Sequence, residues 1–301
     1  MIKASIIIPS YNSYLTIART LDALLEDQSG HIHEIIVVDS SDDHKTREVL
    51  SPYSSKKVKT VFLDKKTSPA LGRNAGAQQA TGDLFLFIDA DAYPEPSWAA
   101  EIAKAIEAGA LVGGGSIGLP PFQQQSPMAA AQFFLQFNEF MQTGSTRHKK
   151  FVPSCNLFCE KSLFRRMGGF PDIRASEDVL FGLNASKHSK VWFVPGAKVF
   201  HIFRESLRAY LNNQELLGRY ILIYRRSYFK RWIYQGIFPL LFFPFFFTLK
   251  FIRILLRILG SGNLKYYGLF VISLPLFLLG LVRWSVGFIK GVFSREKFYS
   301  R

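Results

Sequence analysis

Two carboxylates, Asp89 and Asp91, stand one residue apart directly after the apolar run Leu84-Phe85-Leu86-Phe87-Ile88. Paired anionic oxygens at a strand end can hold a hard divalent cation, and such a cation neutralises a diphosphate. An Asp-x-Asp triplet by itself carries little, because such triplets are common in solvated loops. The Ala92-Tyr93-Pro94 that follows also fits a solvated turn. The preceding apolar run gives the triplet its weight: a strand fixes where the carboxylates point, and an unpaired charge beside a buried strand is costly. Asp39 closes another such run, residues 34–38.

These groups need a scaffold, and the spacing of apolar residues supplies one. Residues 4–8 are small and β-branched and stop at Pro9; residues 15–25 follow at helical spacing. Residues 34–38, 58–63 and 84–88 are further strand-like runs, and residues 70–80 and 98–108 are helical in composition. Alternating strands and helices predict an α/β fold with a mostly parallel sheet whose strands are buried on both faces. Ligands of such sheets bind outside the C-terminal strand ends, where Asp39 and Asp89 fall. From about residue 120 the alternation breaks down into a Pro- and Gln-containing loop, a helix over 127–142 and further short elements.

The charge is uneven. Residues 1–199 carry 21 Lys and Arg against 20 Asp and Glu, and residues 200–301 carry 16 against 3. A basic tail suits nucleic acid or an anionic lipid surface. Its aromatics sit in long apolar runs rather than singly among charges, which makes a nucleic acid polymer a weak reading and favours lipid. Residues 233–249 and 266–282 are uncharged 17-residue stretches, at the short end of what spans a bilayer. Between them Lys250, Arg253 and Arg257 share one helix face while Phe251, Leu255 and Leu259 lie on others, the pattern of an interfacial amphipathic helix. The competing reading is a buried hairpin of core helices. The two cysteines, Cys155 and Cys159, make neither a disulfide framework nor a zinc site and fit a reducing compartment. Met1 leads almost directly into Ser5-Ile6-Ile7-Ile8-Pro9, which reads as a strand and not as a signal peptide.

An ordered series of motifs completes the reading. Ile7-Ile8-Pro9-Ser10-Tyr11-Asn12, then Ile36 to Asp43, Gly72 to Asp91, Gly168-Gly169-Phe170-Pro171, Ser176-Glu177-Asp178-Val179-Leu180-Phe181 and Val194 to His201 together resemble family 2 glycosyltransferases with the GT-A fold, over about residues 3–220. The resemblance implies a donor pocket of Pro9, Tyr11 and Asp39, with Arg73 approaching the nucleotide. It implies that Asp89 reaches the ribose or metal-bound waters, that Asp91 ligates Mg2+ or Mn2+, and that His201 completes the metal or diphosphate site. Asp178 becomes the catalytic base, and Asn156, Glu177 and Arg204 stand near the acceptor or diphosphate. Elementary chemistry agrees, since glycosyl transfer needs a carboxylate to take the acceptor proton and a cation for the leaving diphosphate. One base and one displacement imply inversion. Each assignment has a structural rival: Asp178 as a helix-start acid favoured by the helix dipole, His201 as a satisfied core histidine, Arg204 as part of a basic membrane-facing surface.

Several alternatives fall away. Gly113 to Gly118 fits G-x-G-x-x-G, but Leu119-Pro120-Pro121 follows where a dinucleotide-binding helix must start. These glycines are expected to form a loop near the sugar pocket. Gln214 and Arg219 occur without the Gln-x-x-Arg-Trp signature of processive members, which disfavours a polymerase. A nucleotidyltransferase would carry a Gly-rich loop where Pro9-Ser10-Tyr11-Asn12 stands. A catalytically silent membrane-anchored module is opposed by intact Asp89, Asp91 and Asp178. The expected organisation is a catalytic domain over 1–205, a basic helical connector over 206–232 and membrane-attachment helices over 233–301. The expected partners are a nucleotide-sugar donor and a membrane lipid surface, with a lipid-linked acceptor, at the cytoplasmic face. Arg225, Arg226, Lys230 and Arg231 before the first apolar stretch, and Arg295, Lys297 and Arg301 after the second, place both ends inside. Lys250, Arg253, Arg257 and Lys265 make the connecting segment equally basic, which favours helices that do not cross.

Overall fold

A computed structural model describes residues 2–54, 57–294 and 296; Arg295, Lys297 and Arg301, invoked above for orientation, lie outside them. In chain order the elements are β1 (Ala4–Ser10), α1 (Ile17–Leu25), β2 (Ile32–Asp39), α2 (His44–Leu50), β3 (Val58–Phe62), α3 (Pro69–Gln79), β4 (Leu84–Ile88), β5 (Ala92–Pro94), α4 (Trp98–Glu107), β6 (Val112–Gly118), α5 (Pro127–Phe137), β7 (Arg147–Lys149), β8 (Asn156–Glu160), α6 (Lys161–Arg166), α7 (Glu177–Ala185), β9 (Val191–His201), α8 (Leu207–Phe229), α9 (Phe238–Leu241), α10 (Phe243–Leu259) and α11 (Leu264–Val292). The chain divides into two compact units: unit 1 runs to Gly118 and includes Gln142–Ile202, and unit 2 holds Leu119–Met141 and the chain from Phe203.

Unit 1 is built on one sheet with the order β3-β2-β1-β4-β8-β6-β9-β5, and β7 pairs with β9. Strands β3, β2, β1 and β4 are mutually parallel, as is β6 with β9; β5, β7 and β8 run antiparallel to their neighbours. The expected α/β architecture holds. The chain leaves β1 towards β2 and β3, then returns to β4 on the other side of β1. That reversal is the topological switch point at which ligands of such sheets bind. Every residue of β4 is buried. Phe85 and Phe87 pack against Phe164, and Phe170 stacks on Phe181 with ring centroids 4.5 Å apart.

Strand β1 continues through Pro9 to Ser10, past the expected stop. Its pairing with β4 ends at Ile7, so the missing N–H of Pro9 costs no ladder bond on that side. The glycine run expected to be a loop is instead β6, buried at every position between β8 and β9. A Cβ on Gly115 would lie 1.5 Å from the Ala197 carbonyl oxygen, and one on Gly114 would lie 2.1 Å from that of Asn156. The glycines are there because neighbouring backbone occupies the space of a side chain.

Unit 2 is helical. Residues 233–249 do not form one helix: a 3-10 turn at Trp232–Tyr234 and the short α9 precede α10, and Gly236 turns the chain at φ +52°. α11 packs on α8 and α5. It is the one described helix long and apolar enough, by length and composition, to cross a membrane.

Candidate active site

Three ligand-bearing side chains converge beyond the C-terminal end of β4. The oxygens of Asp89 and Asp91 and an imidazole nitrogen of His201 lie within 4.8 Å of one another. Local pairing brings the distant histidine here. β5 runs antiparallel to β9 with Ala92 opposite His201, and the Ile202 amide donates to the Asp91 carbonyl at 2.7 Å. The Ala92-Tyr93-Pro94 segment is thus a paired strand and not a solvated turn. His201 Nε2 lies 3.6 Å from Asp91 Oδ1, beyond ordinary hydrogen-bond reach. Two ligand atoms each about 2.1 Å from one octahedral cation stand roughly 3 Å apart when adjacent and about 4.2 Å when opposite. The 3.6 Å between His201 and Asp91 falls between these values, and a donor set of two carboxylates and an imidazole gathered this closely could hold a divalent cation.

Arg73 on α3 stands behind this cluster, only 2% exposed. Its Nη2 donates to Asp89 Oδ1 at 2.5 Å and its Nη1 to Glu177 Oε1 at 2.8 Å, while the guanidinium lies over the Phe170 ring. Burial alone would lower the guanidinium pKa. The charges of Asp89 and Glu177 outweigh burial and raise it, so Arg73 stays cationic. The Cys155 thiol is pushed up by its own burial and then by Asp89, Asp91 and Asp178 together, which makes it inert.

Glu177 and Asp178 form the first turn of α7, after Ser176 in the left-handed region at φ +68° without a side-chain cap. A serine held there is strained, and such strain gathers at functional sites. Asp178 Oδ1 accepts from the Val179 amide at 2.8 Å. Burial of the carboxyl and the adjacent Glu177 charge push its pKa up to about 7. A carboxylate tuned near neutrality suits general-base chemistry.

The strand ends of β1 and β2 carry the other predicted residues. Asp39, 1% exposed, accepts from Ser10 Oγ at 2.8 Å and Ser41 Oγ at 2.6 Å through Oδ1. Its Oδ2 is buried with no hydrogen-bond partner, an acceptor whose desolvation is uncompensated in the free protein. Pro9 packs beside Gly72, where an added Cβ would approach to 3.2 Å. The Tyr11 hydroxyl donates to Asp42 Oδ2 at 2.9 Å, and Asn12 Nδ2 to Asp42 Oδ1 at 2.8 Å. Lys66 sits over the Tyr11 ring. Asn156 is fully buried: its amide donates to the Ser116 and Ala197 carbonyls and accepts from Trp98 Nε1. Arg204 belongs to unit 2, where its carbonyl accepts from Gln132. Sequence reasoning did not single out Ser10, Ser41 and Asp42 as supports of Asp39 and Tyr11. Their only signal was membership of the Pro9-Ser10-Tyr11-Asn12 and Ser40-Ser41-Asp42-Asp43 segments.

The glycosyl transferase family 2 model matches residues 5–167. Amylovoran biosynthesis glycosyltransferase AmsB of Erwinia amylovora is 43% identical over 94 residues, which are 30% of this chain and 31% of the relative. Glycosyltransferase AglE of Haloferax volcanii is 24% identical over 172 residues, 56% of each chain. The matches thus span from under a third to just over half of these relatives. Mannosyltransferase PcManGT of Pyrobaculum calidifontis, solved with GDP-Man and Mn2+, superposes with a TM-score of 0.60 over 97% of this chain and 88% of its own, at 17% identity. That likeness speaks for the fold. With the family model covering more than half of its length and the fold agreeing, this chain belongs to glycosyl transferase family 2.

Proposed function

We propose that this protein is an inverting, metal-dependent glycosyltransferase that moves a sugar from a nucleotide-sugar donor to the hydroxyl of a lipid-linked acceptor at the cytoplasmic face of a membrane. The observation that carries the reading is the convergence of Asp89, Asp91 and His201, whose ligand atoms lie within 4.8 Å of one another, with Asp89 bridged through Arg73 to Glu177, the residue before Asp178. Pro9, Tyr11 and Asp39 receive the nucleoside, and Asp39 Oδ2 supplies an acceptor for a base N–H or ribose hydroxyl. Asp89, Asp91 and His201 would hold Mg2+ or Mn2+, which when bound offsets the charge gained by the leaving diphosphate. Arg73 fixes Asp89 and Glu177 in place and keeps the carboxylate-rich site from repelling itself apart. Asp178 takes the proton of the acceptor hydroxyl as that oxygen attacks the anomeric carbon. A single displacement with one base inverts that centre. The basic, apolar composition of unit 2 supports the membrane location and, through it, the lipid-linked acceptor.

A panel of nucleotide sugars screened by thermal shift, with and without Mn2+, tests the donor. The right donor raises the melting temperature in proportion to the logarithm of its concentration over Kd, and more so with the cation. Turnover should release a nucleoside diphosphate. Release of pyrophosphate would assign the site to nucleotidyl transfer instead, and binding of donor without any turnover or hydrolysis would make the chain a silent binding module.

A further inference from the structure

Helix α10 carries an apolar stripe that unit 2 leaves uncovered. Phe242 at its N-cap, then Phe245, Leu249, Ile252, Leu256 and Leu259, recur at alternating three- and four-residue steps and so share one helix face. Each is between 38% and 60% exposed. The opposite face is the packed one, where Ile254 and Ile258 are buried and Phe243 and Phe246 lie against Phe288 of α11. The approach to α10 continues the exposed surface with Trp232, Ile237, Phe238 and Leu241. A contiguous apolar surface of this extent marks an interaction site.

Cations line one border of the stripe. At 100° per residue Arg253, Arg257 and Lys250 fall between the exposed stripe and the buried face. Arg257 is held by Asn138 and Glu139. Lys250 rests its ammonium over the Trp284 ring at 4.7 Å, and neither Lys250 nor Arg253 makes a salt bridge among the described residues. Carboxylates are scarce throughout this part of the chain, with 16 Lys and Arg against 3 Asp and Glu after residue 199. An apolar face bordered by an exposed arginine without an ionic partner, in a part of the chain with a large excess of cations, is complementary to a leaflet with anionic headgroups. At 17 residues α10 is about 25 Å long, short of the roughly 30 Å hydrocarbon core.

We propose that α10 lies in the plane of an anionic lipid leaflet, with its stripe from Phe242 to Leu259 among the acyl chains and the exposed Arg253 on the lipid phosphates. This deepens the membrane location in the proposed function and rests on unit 2 alone, so it stands or falls separately from the catalytic chemistry. Of the apolar stretch that length alone offered as a first span, residues 243–249 then belong to a surface helix. Glycosyl transfer to a lipid-linked acceptor would then take place on a chain already seated at the headgroup level.

The test is co-sedimentation of the purified full chain with phosphatidylcholine vesicles, with and without phosphatidylglycerol, in the absence of any donor. The wild-type chain should bind both and prefer the anionic ones. Replacing Ile252 and Leu256 together by Glu alters only exposed positions, and should weaken binding to both vesicle types by about tenfold or more while the melting temperature is kept. Arg253→Gln should cost about fivefold on phosphatidylglycerol vesicles and nothing on phosphatidylcholine. Asp91→Ala should bind vesicles like wild type, which separates this result from failure of the catalytic reading. Undiminished binding by the double variant would overturn the proposal. So would complete release of the wild-type chain by high salt, a readout that needs no variant. A concentration-dependent dimer without lipid, abolished by the double variant and unaccompanied by vesicle binding, would assign the stripe to a second copy and equally overturn it.

Discussion

In unit 1 the charges around the strand ends are buried or half-buried and held by specific partners. Arg73 is clamped between Asp89 and Glu177, and Lys198 reaches Glu95 at 2.7 Å. Unit 2 inverts this arrangement. Three of its four carboxylates are shared or taken, Glu215 by both Arg283 and Lys290, Glu139 by Arg257 and Glu296 by Arg219, and cations are left over at the surface beside exposed Phe, Leu and Ile. Apolar residues differ in the same way: the sheet of unit 1 hides them, while α10 and α11 of unit 2 display them. The proposed site for a cation and a charged leaving group needs preorganised carboxylates, and unit 1 holds its charges in place accordingly. A surface that meets headgroups and acyl chains needs the reverse. The contrast can be broken or sharpened by removing one side chain at a time.

The largest effects belong to the inward charges. Asp91→Ala should lower turnover by at least about a thousandfold and erase the Mn2+-dependent part of the donor-induced thermal shift; near-normal activity in excess chelator would refute the metal-dependent mechanism. Asp178→Asn keeps the shape and removes the proton acceptor, so transfer should fall about two to four orders of magnitude with donor affinity changed only a few-fold. Its stability should move the other way. The folded-state pKa of Asp178 is raised to about 7 from an unfolded value near 3.8. Folding is therefore penalised as pH rises through that window, and the penalty is complete above it. The asparagine variant should match wild type near pH 4 and be more stable by on the order of 1 kcal/mol or more at pH 8, in denaturant titrations at the two pH values. The acidic limb of the free enzyme's kcat/KM profile should fall near the same pKa. Arg73→Met should cost about 3–5 kcal/mol, because it strands two carboxylates against a buried wall. Arg73→Lys should recover only part of that, since one ammonium cannot reproduce the two-pronged bridge.

How far these features were legible in the sequence follows from how local their causes are. Strand β4 and the Asp89-Ala90-Asp91 that ends it could be read directly, because five consecutive apolar residues have few other uses. β6 could not: a glycine run reads as a loop by propensity, and the carbonyls of Ala197 and Asn156 that exclude a side chain come from elsewhere in the chain. β5 is three residues long and ends in proline, so only its partner β9 reveals it as a strand. The Arg73–Glu177 bridge joins positions 104 residues apart, and the left-handed Ser176 leaves no mark in composition. The long uncharged stretch 233–249 looked like one segment because hydropathy averages over a turn, while Gln235-Gly236 breaks it. Motif order singles out Asp178, but its raised pKa arises from burial and Glu177, which spacing alone does not measure.

The smallest expected effects separate packing from exposure within α11 itself. At Gly287 an added Cβ would lie 1.9 Å from the Glu215 carbonyl oxygen of α8, and at Gly218 on α8 it would lie 1.9 Å from that of Trp284. The two helices therefore touch backbone to backbone, and no side chain can yield to make room. Small residues at such crossings let helices approach closely. Gly287→Ala should force the pair apart and destabilise unit 2 by about 1–3 kcal/mol, as overpacking does. Gly268, nearer the start of the same helix, has open space within 4 Å of where a methyl group would stand, and its φ is not in the left-handed region. There Gly→Ala only removes backbone entropy and should stabilise by roughly 0.5–1 kcal/mol. Opposite signs from the same substitution, read by urea unfolding or by melting in one detergent, would establish that α11 is held by its glycine face to α8. Equal and small effects at both positions would mean that the helix is held by its apolar side chains instead, and that the close approach of α8 can relax at little cost.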